Sequence, residues 1–241
     1  MKKFFYYATI IILIGVMLFS GYNIFKIQKE YSDGKKTYEE LEKSSPKTKD
    51  DKDLPKKSQK SPNNIPNHEQ LKAINDDYVG WLYIPNTGID YPVVHTDNND
   101  YYLHHTFYHE YNKAGTIFIS SNSNPDLKDS NTIIHGHNLL NGTMFSGLTN
   151  YQNTDFFNAN PYAYIYTKDK TFVYQVMSAF VCTVNSPVYT TVFDNDLIAK
   201  IRGFSMVASK IKATEKNKFV TFSTCTNWQE DERFVVVMKK I

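Results

Sequence analysis

Residues 4–25 contain no charged side chain, and the central part of this segment, residues 8–19, is almost entirely aliphatic. About 20 consecutive apolar residues are enough for a helix to span a bilayer. We therefore predict a transmembrane anchor at residues 4–25. The alternative is a cleaved secretory signal, but the run is long for one and no clear Ala-x-Ala site follows it. Both interpretations export the rest of the chain.

The segments on either side of the apolar run are basic. Lys2 and Lys3 precede it, which predicts a cytoplasmic N-terminus at residues 1–3 because positive residues tend to stay inside. Residues 26–66 are rich in Lys, Glu, Asp, Ser, Pro and Asn and have almost no aliphatic side chains. Such a segment cannot bury enough surface to fold alone. We predict an extracellular linker there, extended and solvated, with residues 38–41 as a candidate short helix.

The charge and cysteine content argue against several classes of protein. The 27 basic and 25 acidic residues leave a net charge of +2, too little to create a field that attracts nucleic acid. Two cysteines provide neither a disulfide framework nor a cysteine-rich zinc site. We expect no nucleic-acid partner and assign no cofactor.

Residues 67–241 alternate short strand-like runs with clusters of Pro, Gly, Asn and Asp. Helical spacing is limited to a short first helix from residue 68 and to residues 143–151 and 194–211. These helices are too few to cover a parallel sheet, so a β-barrel decorated by helices is expected. The predicted strands are residues 81–84, 90–94, 116–120, 131–135, 162–166, 171–184, 218–223 and 234–239.

Cys225 is a candidate nucleophile because it follows an apolar strand and precedes polar residues, at the exposed end of that strand. A thiol in such a place needs a histidine or a cation nearby to generate or stabilise its thiolate. Taken alone, a cysteine at a strand end is more often a small core residue. Cys182 lies inside an apolar strand, and we interpret it as a core residue.

His137 follows a strand and a glycine and enters a polar loop, where an imidazole is suited to general acid and base chemistry. The alternative is a metal pair with His135, which shares its strand face, but no cysteine or carboxylate stands at a familiar ligand spacing. Arg233 begins the last strand, where a guanidinium can stabilise an oxyanion. Its acidic neighbours leave open an ordinary exposed charge.

The segment Thr221-Phe222-Ser223-Thr224-Cys225, with an arginine eight residues later, resembles the sortase signature Thr-Leu-x-Thr-Cys. Residues 131–148 are similar to the histidine loop of class B sortases, and residues 79–93 and 100–103 also resemble class B sequence. The helix-like stretch at residues 194–211 is a further class B feature. The resemblance covers roughly residues 68–241.

This resemblance implies a mainly β domain at residues 67–241. Its fold would be an eight-stranded sortase-type barrel with a few helices, including an N-terminal one and a longer one before the nucleophile strand. It also implies a cysteine transpeptidase of the thiol-protease type. Cys225 would attack the Thr carbonyl of an Asn-Pro-x-Thr-like sorting motif, and a peptidoglycan amine would resolve the thioacyl enzyme. His137 would transfer protons and Arg233 would hold the oxyanion.

By the same resemblance, five further residues would line the substrate groove: Ser223, Thr224, Asn99, Leu103 and His135. The partners would be secreted proteins that bear a sorting signal. The location would be the membrane of a Gram-positive bacterium, with a single span and the catalytic domain outside.

The sequence departs from the family pattern at Phe222, where Leu is usual, at His135, where class B members usually have Tyr, and at Thr226, where some have an acid. The last two put the sorting motif and the local pKa values in doubt. Two alternatives stay open. One is a non-catalytic surface module that binds haem, a metal or a host surface, and the other is hydrolysis of the thioacyl enzyme by water.

Overall fold

The computed structural model describes residues 2–44, 67–226 and 228–241. Eight strands close into a barrel in the order β1-β2-β3-β4-β7-β8-β6-β5, which confirms the expected eight-stranded fold. The β2–β3 and β4–β7 pairs are parallel, and the other strand pairs are antiparallel. The strands are β1 Tyr78–Ile84, β2 Ile89–His95, β3 Ile117–Ile119, β4 Asn131–His135, β5 Tyr162–Tyr166, β6 Thr171–Thr183, β7 Phe219–Cys225 and β8 Glu232–Lys240.

Alternating side chains divide the barrel into two hydrophobic cores. The larger one fills the barrel and contains Trp81, Tyr164, Phe145 and Phe222, all almost fully buried. The smaller one lies on the outer face of β6, β7 and β8 and includes Phe180, Phe219 and Val235, with Ile198 and Ile201 of the last helix packed over it. Burial of this apolar surface is the main force that holds the strands together.

Three short helices decorate the described part of the domain: α2 His68–Ile74, α3 Thr154–Ala159 and α4 Asn195–Gly203. The helix expected at residues 194–211 therefore ends at Gly203. The Ser178 hydroxyl of β6 donates to the Ile201 carbonyl at 2.7 Å, and the Met206 amide donates to the Ala179 carbonyl at 2.8 Å. These bonds to β6 replace the next helical turn. The segment expected to be helical at residues 143–151 is a 3₁₀ helix at Ser146–Gln152.

The first helix, α1, runs from Lys2 to Ser44 without a break. Its Lys3–Leu41 portion is long and apolar enough to cross a membrane, and its most apolar window is not buried in the protein. The structure differs from the extended linker expected from residue 26, because residues 26–44 continue this helix. Tyr38 and Leu41 are 4% and 1% exposed and join the barrel core. The rest of the expected linker, residues 45–66, lies outside the described residues.

Candidate active site

One cleft of about 440 Å³ opens at the ends of β4 and β7. All eight residues singled out from the sequence line this cleft, although they come from four separate stretches of the chain. They are Asn99, Leu103, His135, His137, Ser223, Thr224, Cys225 and Arg233. The structure therefore brings the candidate nucleophile, histidine and arginine to one place.

Cys225 is the last residue of β7, and its register partner on β8 is Arg233. Directly opposed residues on neighbouring strands project to the same face of a sheet, so the half-buried thiol and the guanidinium share the cleft side of the barrel wall. Arg233 Nη1 donates to the backbone carbonyls of Glu230 at 2.7 Å and Glu232 at 2.9 Å. These bonds to the neighbouring backbone carbonyls give the guanidinium a defined orientation.

His137 lies on the loop after β4, and its Nε2 is 2.8 Å from the Leu103 carbonyl oxygen. A carbonyl only accepts, so Nε2 carries the proton and Nδ1 is the acceptor of the neutral ring. Burial lowers the pKa of His137, and the nearby positive charges of His104 and Arg233 lower it further, while the bond to Leu103 acts in the opposite direction. The ring is therefore mainly neutral at pH 7.

Three hydrogen bonds fasten the loop of His137 to β7. The Gly136 amide donates to the Ser223 carbonyl at 3.2 Å, and the Thr224 hydroxyl donates to the Gly136 carbonyl at 2.7 Å. Asn138 Nδ2 donates to the Cys225 carbonyl at 2.9 Å. A Cβ at position 136 would lie 2.9 Å from the Phe145 ring. A glycine at this position lets the loop pass close to β7.

His135 ends β4 opposite Ser223, and its ring packs between the rings of Phe118 and Tyr189 at centroid distances of 5.3 and 6.2 Å. Burial, and secondarily the charge of Arg233, lowers the pKa of His135 to about 4. Within the residues that the structure describes, no three His, Cys, Asp or Glu side chains are grouped to hold a metal ion. The metal-pair interpretation thus gains no support from the geometry.

The other expected groove residues differ in what they offer to a ligand. Thr224 is 2% exposed and its hydroxyl is bonded to Gly136, so its side chain supports the histidine loop. Asn99 is exposed, and its Oδ1 accepts from the Ser121 amide at 2.7 Å. The Ser223 hydroxyl is 2.8 Å from the hydroxyl of Tyr189.

Tyr189 and Cys182 are two residues near the cleft whose position the sequence does not reveal. Tyr189 ends a 3₁₀ turn at Pro187–Tyr189 and lines the cleft. Cys182 is half-buried on β6, opposite Arg233, with Ser186 and Tyr189 as side-chain hydrogen-bond partners; burial raises the pKa of its thiol. Two strand spacings, about 10 Å, separate it from Cys225. That distance exceeds the roughly 7 Å that a disulfide can bridge.

Comparison with known proteins gives a consistent assignment. The sortase domain family model matches residues 82–241. A sortase B of Listeria monocytogenes is 35% identical over 175 residues, which cover 70% of this chain and 71% of the relative. The sortase B structure from Clostridium perfringens superposes with a TM-score of 0.68 at 33% identity and covers 73% of this chain and 100% of its own.

A Staphylococcus aureus sortase B solved as a substrate complex gives a TM-score of 0.67 at 30% identity, covering 72% of this chain and 84% of the other. Both structures share the closed barrel described above. The chain therefore belongs to the sortase family of transpeptidases, in class B.

Proposed function

We propose that this transpeptidase cleaves an Asn-Pro-x-Thr-like sorting motif after its threonine and transfers the acyl group to a peptidoglycan amine, with Cys225 as the nucleophile. The observation that carries the proposal is the convergence of Cys225, His137 and Arg233 in one cleft. A thiol, a neutral imidazole and a fixed guanidinium are the groups that acyl transfer through a thioester requires.

In the first half-reaction, the Cys225 sulfur attacks the threonine carbonyl and its proton passes to His137. Because Nε2 of His137 is engaged by Leu103, we assign the transfer to Nδ1. The carbonyl oxygen becomes an oxyanion near the Arg233 guanidinium, whose fixed charge stabilises it. Collapse breaks the peptide bond, and the leaving amine takes the proton from His137.

In the second half-reaction, an amine enters the cleft and attacks the thioacyl carbon. His137 Nδ1 takes the proton of the attacking amine, a new amide forms, and the Cys225 thiolate leaves and recovers that proton. Water in place of the amine would give hydrolysis by the same steps. These steps use the side chains of the chain itself and call for no cofactor.

The proposed substrate fits the composition of the cleft wall. Leu103, Ile133 and Val184 provide apolar surface, while Asn99 and Ser223 provide polar groups, a combination typical of ligand-binding clefts. The S. aureus relative is described as a substrate complex. We propose that a sorting peptide occupies the same cleft here.

The proposed location is the outer face of a Gram-positive cell membrane. Residues 4–25 would cross the bilayer with Lys2 and Lys3 inside. The catalytic domain would then meet secreted proteins and cell-wall precursors on the same side. The length and hydropathy of α1 support the anchor.

The test is cleavage of quenched fluorescent sorting peptides by the full-length chain, with and without an added small amine. Cys225→Ala is the inactive variant, and Cys182→Ala is the matched thiol control. We expect Asn-Pro-x-Thr peptides to be cleaved by the wild type and Cys182→Ala but not by Cys225→Ala, and the amine to appear in the product. A folded wild type that cleaves no peptide would favour a binding module instead.

A further inference from the structure

The part of α1 that follows its apolar segment presents one face to the catalytic domain. Gly34, Tyr38 and Leu41 are buried, and Glu30 and Tyr31 are half-buried. Their spacing of three or four residues places them on one side of a helix. Most positions between them are exposed, and the charged side chains of Asp33, Lys35, Lys36, Glu39 and Glu40 lie there.

The backbone of α1 comes close to the catalytic domain at Gly34. A Cβ at that position would lie 2.9 Å from the Ala114 Cβ and 3.1 Å from Asn112 Oδ1. Asn112 Nδ2 also donates to the Glu30 carbonyl at 3.0 Å, and Lys113 pairs with the Glu30 carboxylate at 3.8 Å. Any larger side chain at position 34 would push α1 away from the loop of residues 101–116, which begins with the 3₁₀ turn Tyr101–Leu103 and leads to β3.

Tyr38 makes the deepest polar contact between α1 and this loop. Its hydroxyl donates to the Gly115 carbonyl at 2.6 Å and lies 2.8 Å from the Thr116 hydroxyl. Its ring packs edge-on against Tyr91 of β2, with centroids 5.4 Å apart. Burial raises the pKa of Tyr38, so the phenol stays neutral and keeps its proton for the bond.

Gly115 in turn packs closely against Leu103, whose carbonyl bonds the candidate histidine. Its φ is +61°, and a Cβ there would be 2.9 Å from the Leu103 carbonyl oxygen. The Thr116 amide donates to the Tyr102 carbonyl at 2.9 Å, which fixes this part of the loop. The Leu103 carbonyl then accepts from His137 Nε2 at 2.8 Å.

A second chain of contacts reaches the other side of His137. Tyr91, which packs on Tyr38, accepts a bond at its hydroxyl from the Met144 amide at 3.3 Å. Met144 pairs with Asn138 in an isolated β-bridge. The next residue, Phe145, donates its amide to the His137 carbonyl at 2.8 Å.

From these two routes we infer that Gly34 and Tyr38 of α1 are positioning residues, which hold His137 in its Nε2–H tautomer and reactive orientation by docking the helix onto the loop of residues 101–116. The inference rests on the proposed transpeptidase function. It assigns a role in catalysis to a segment that touches no substrate. Part of the enzyme's activity would then depend on the helix that continues from the membrane anchor.

The test compares Gly34→Leu with Lys36→Leu in the full-length chain in detergent micelles. Leu is a much stronger helix former than Gly and about as strong as Lys, so α1 itself should persist in both variants. Only the first variant places bulk against Ala114. A third variant, Gly115→Ala, leaves the sequence of α1 unchanged and places a Cβ 2.5 Å from the Tyr102 carbonyl oxygen and 2.9 Å from the Leu103 carbonyl oxygen.

Two readouts are measured on each variant. The first is kcat and KM for the best sorting peptide, since misplacement of a catalytic group lowers kcat more than binding. The second is the tautomer of His137 from ¹⁵N spectra of histidine-labelled protein, with the resonance assigned by its loss in His137→Ala. The spectrum distinguishes a proton on Nε2 from one on Nδ1 and needs no substrate.

We expect Gly34→Leu and Gly115→Ala to lose at least about tenfold in kcat, with KM changed less than about twofold, because small displacements of reacting groups are costly. Both should show a mixture of His137 tautomers, while Lys36→Leu behaves as wild type. Unchanged kcat and a single Nε2–H tautomer in Gly34→Leu would overturn the inference. If the wild type cleaves no peptide, the proposed function fails, and the tautomer alone still decides whether α1 positions His137.

Discussion

Cys225 on β7 and Arg233 on β8 are directly opposed in the barrel wall, and Arg233 is opposed on its other side by Cys182 of β6. The guanidinium therefore belongs to a row of three residues that face the same side of the sheet. The backbone carbonyls of Glu230 and Glu232 engage one of its nitrogens, Nη1. Orientation by the backbone leaves a charge of fixed direction beside the candidate nucleophile.

This geometry predicts that Arg233→Lys is not a conservative change. A lysine has one ammonium group and cannot both bond the two carbonyls and present a fork of donors to the cleft. We expect kcat to fall by about 100-fold, the usual loss for one oxyanion donor. Steady-state cleavage assays measure this effect, with the exposed Arg202→Lys as the control. Activity within about threefold of wild type, a free-energy change of only about 0.6 kcal/mol, would remove Arg233 from the oxyanion site.

The charge of His104 predicts a shift in the pH profile. Its ring centroid is 6.5 Å from that of His137, and its positive form lowers the pKa of His137. The His104→Ala variant should therefore raise the pKa of His137 toward its ordinary value. The acidic limb of kcat/KM, which reports the free enzyme, should move to higher pH. A matched His109→Ala profile is the control, and an unmoved limb in His104→Ala would show that another group sets it.

Because the ring of His135 is buried and neutral, we expect it to make the protein lose stability on acidification. The pKa of this ring is about 4 in the folded chain against an ordinary value of 6.5, so the unfolded chain binds the proton first. The stability that this neutral ring contributes is complete above about pH 6.5 and is lost as the pH falls toward 4. The difference between the two pKa values corresponds to at most about 3 kcal/mol.

Replacing His135 by a side chain that does not titrate in this range should remove the part of the stability loss on acidification that His135 causes. Denaturant midpoints of His135→Tyr and wild type, followed by tryptophan fluorescence at pH 7 and pH 4.5, measure it. The exposed His109→Tyr serves for comparison. An equal drop in midpoint for His135→Tyr and wild type would mean that other groups cause the acid sensitivity.

Removal of the Asn138 side-chain amide is expected to lower both the stability of the protein and its rate of cleavage. Its Nδ2 donates to the Cys225 carbonyl at 2.9 Å and so ties the loop of His137 to the candidate nucleophile. Asn138→Ala should cost about 1 kcal/mol of stability, typical of one hydrogen bond, and should also lower kcat. Asn138→Asp should not rescue either property, because a carboxylate cannot donate. Rescue by Asp, measured by thermal unfolding and cleavage, would contradict this role.

The strands and the cleft residues could be predicted because their signals are local. The short β-prone runs between turn residues locate all eight strands, and the Thr221 to Cys225 motif carries the family resemblance. The pairing of Cys225 with Arg233 depends on strand register across the barrel, which no single segment encodes. The same limit hid Cys182 and Tyr189, which reach Arg233 and Ser223 only after the barrel closes.

The packing of α1 onto the catalytic domain is the largest structural feature that the sequence did not predict. The polar composition of residues 26–66 suggested a solvated linker, yet Tyr31, Gly34, Tyr38 and Leu41 recur at helical spacing within it. Few of these residues are aliphatic, so the polar composition of the segment indicated a linker despite the helical spacing of its buried residues. Their burial depends on a receiving surface built by residues 112–116, about 80 residues later in the chain.

The central claim is that Cys225 forms a thioacyl intermediate, and intact-mass spectrometry of the full-length chain during turnover of a sorting peptide tests it most directly. The account predicts a mass increase equal to the acyl part of the peptide, mapped by proteolysis to Cys225. It also predicts that this adduct disappears on addition of an amine and is absent from Cys225→Ala. Cleavage of the peptide by Cys225→Ala, or an adduct that maps to Cys182, would contradict the account.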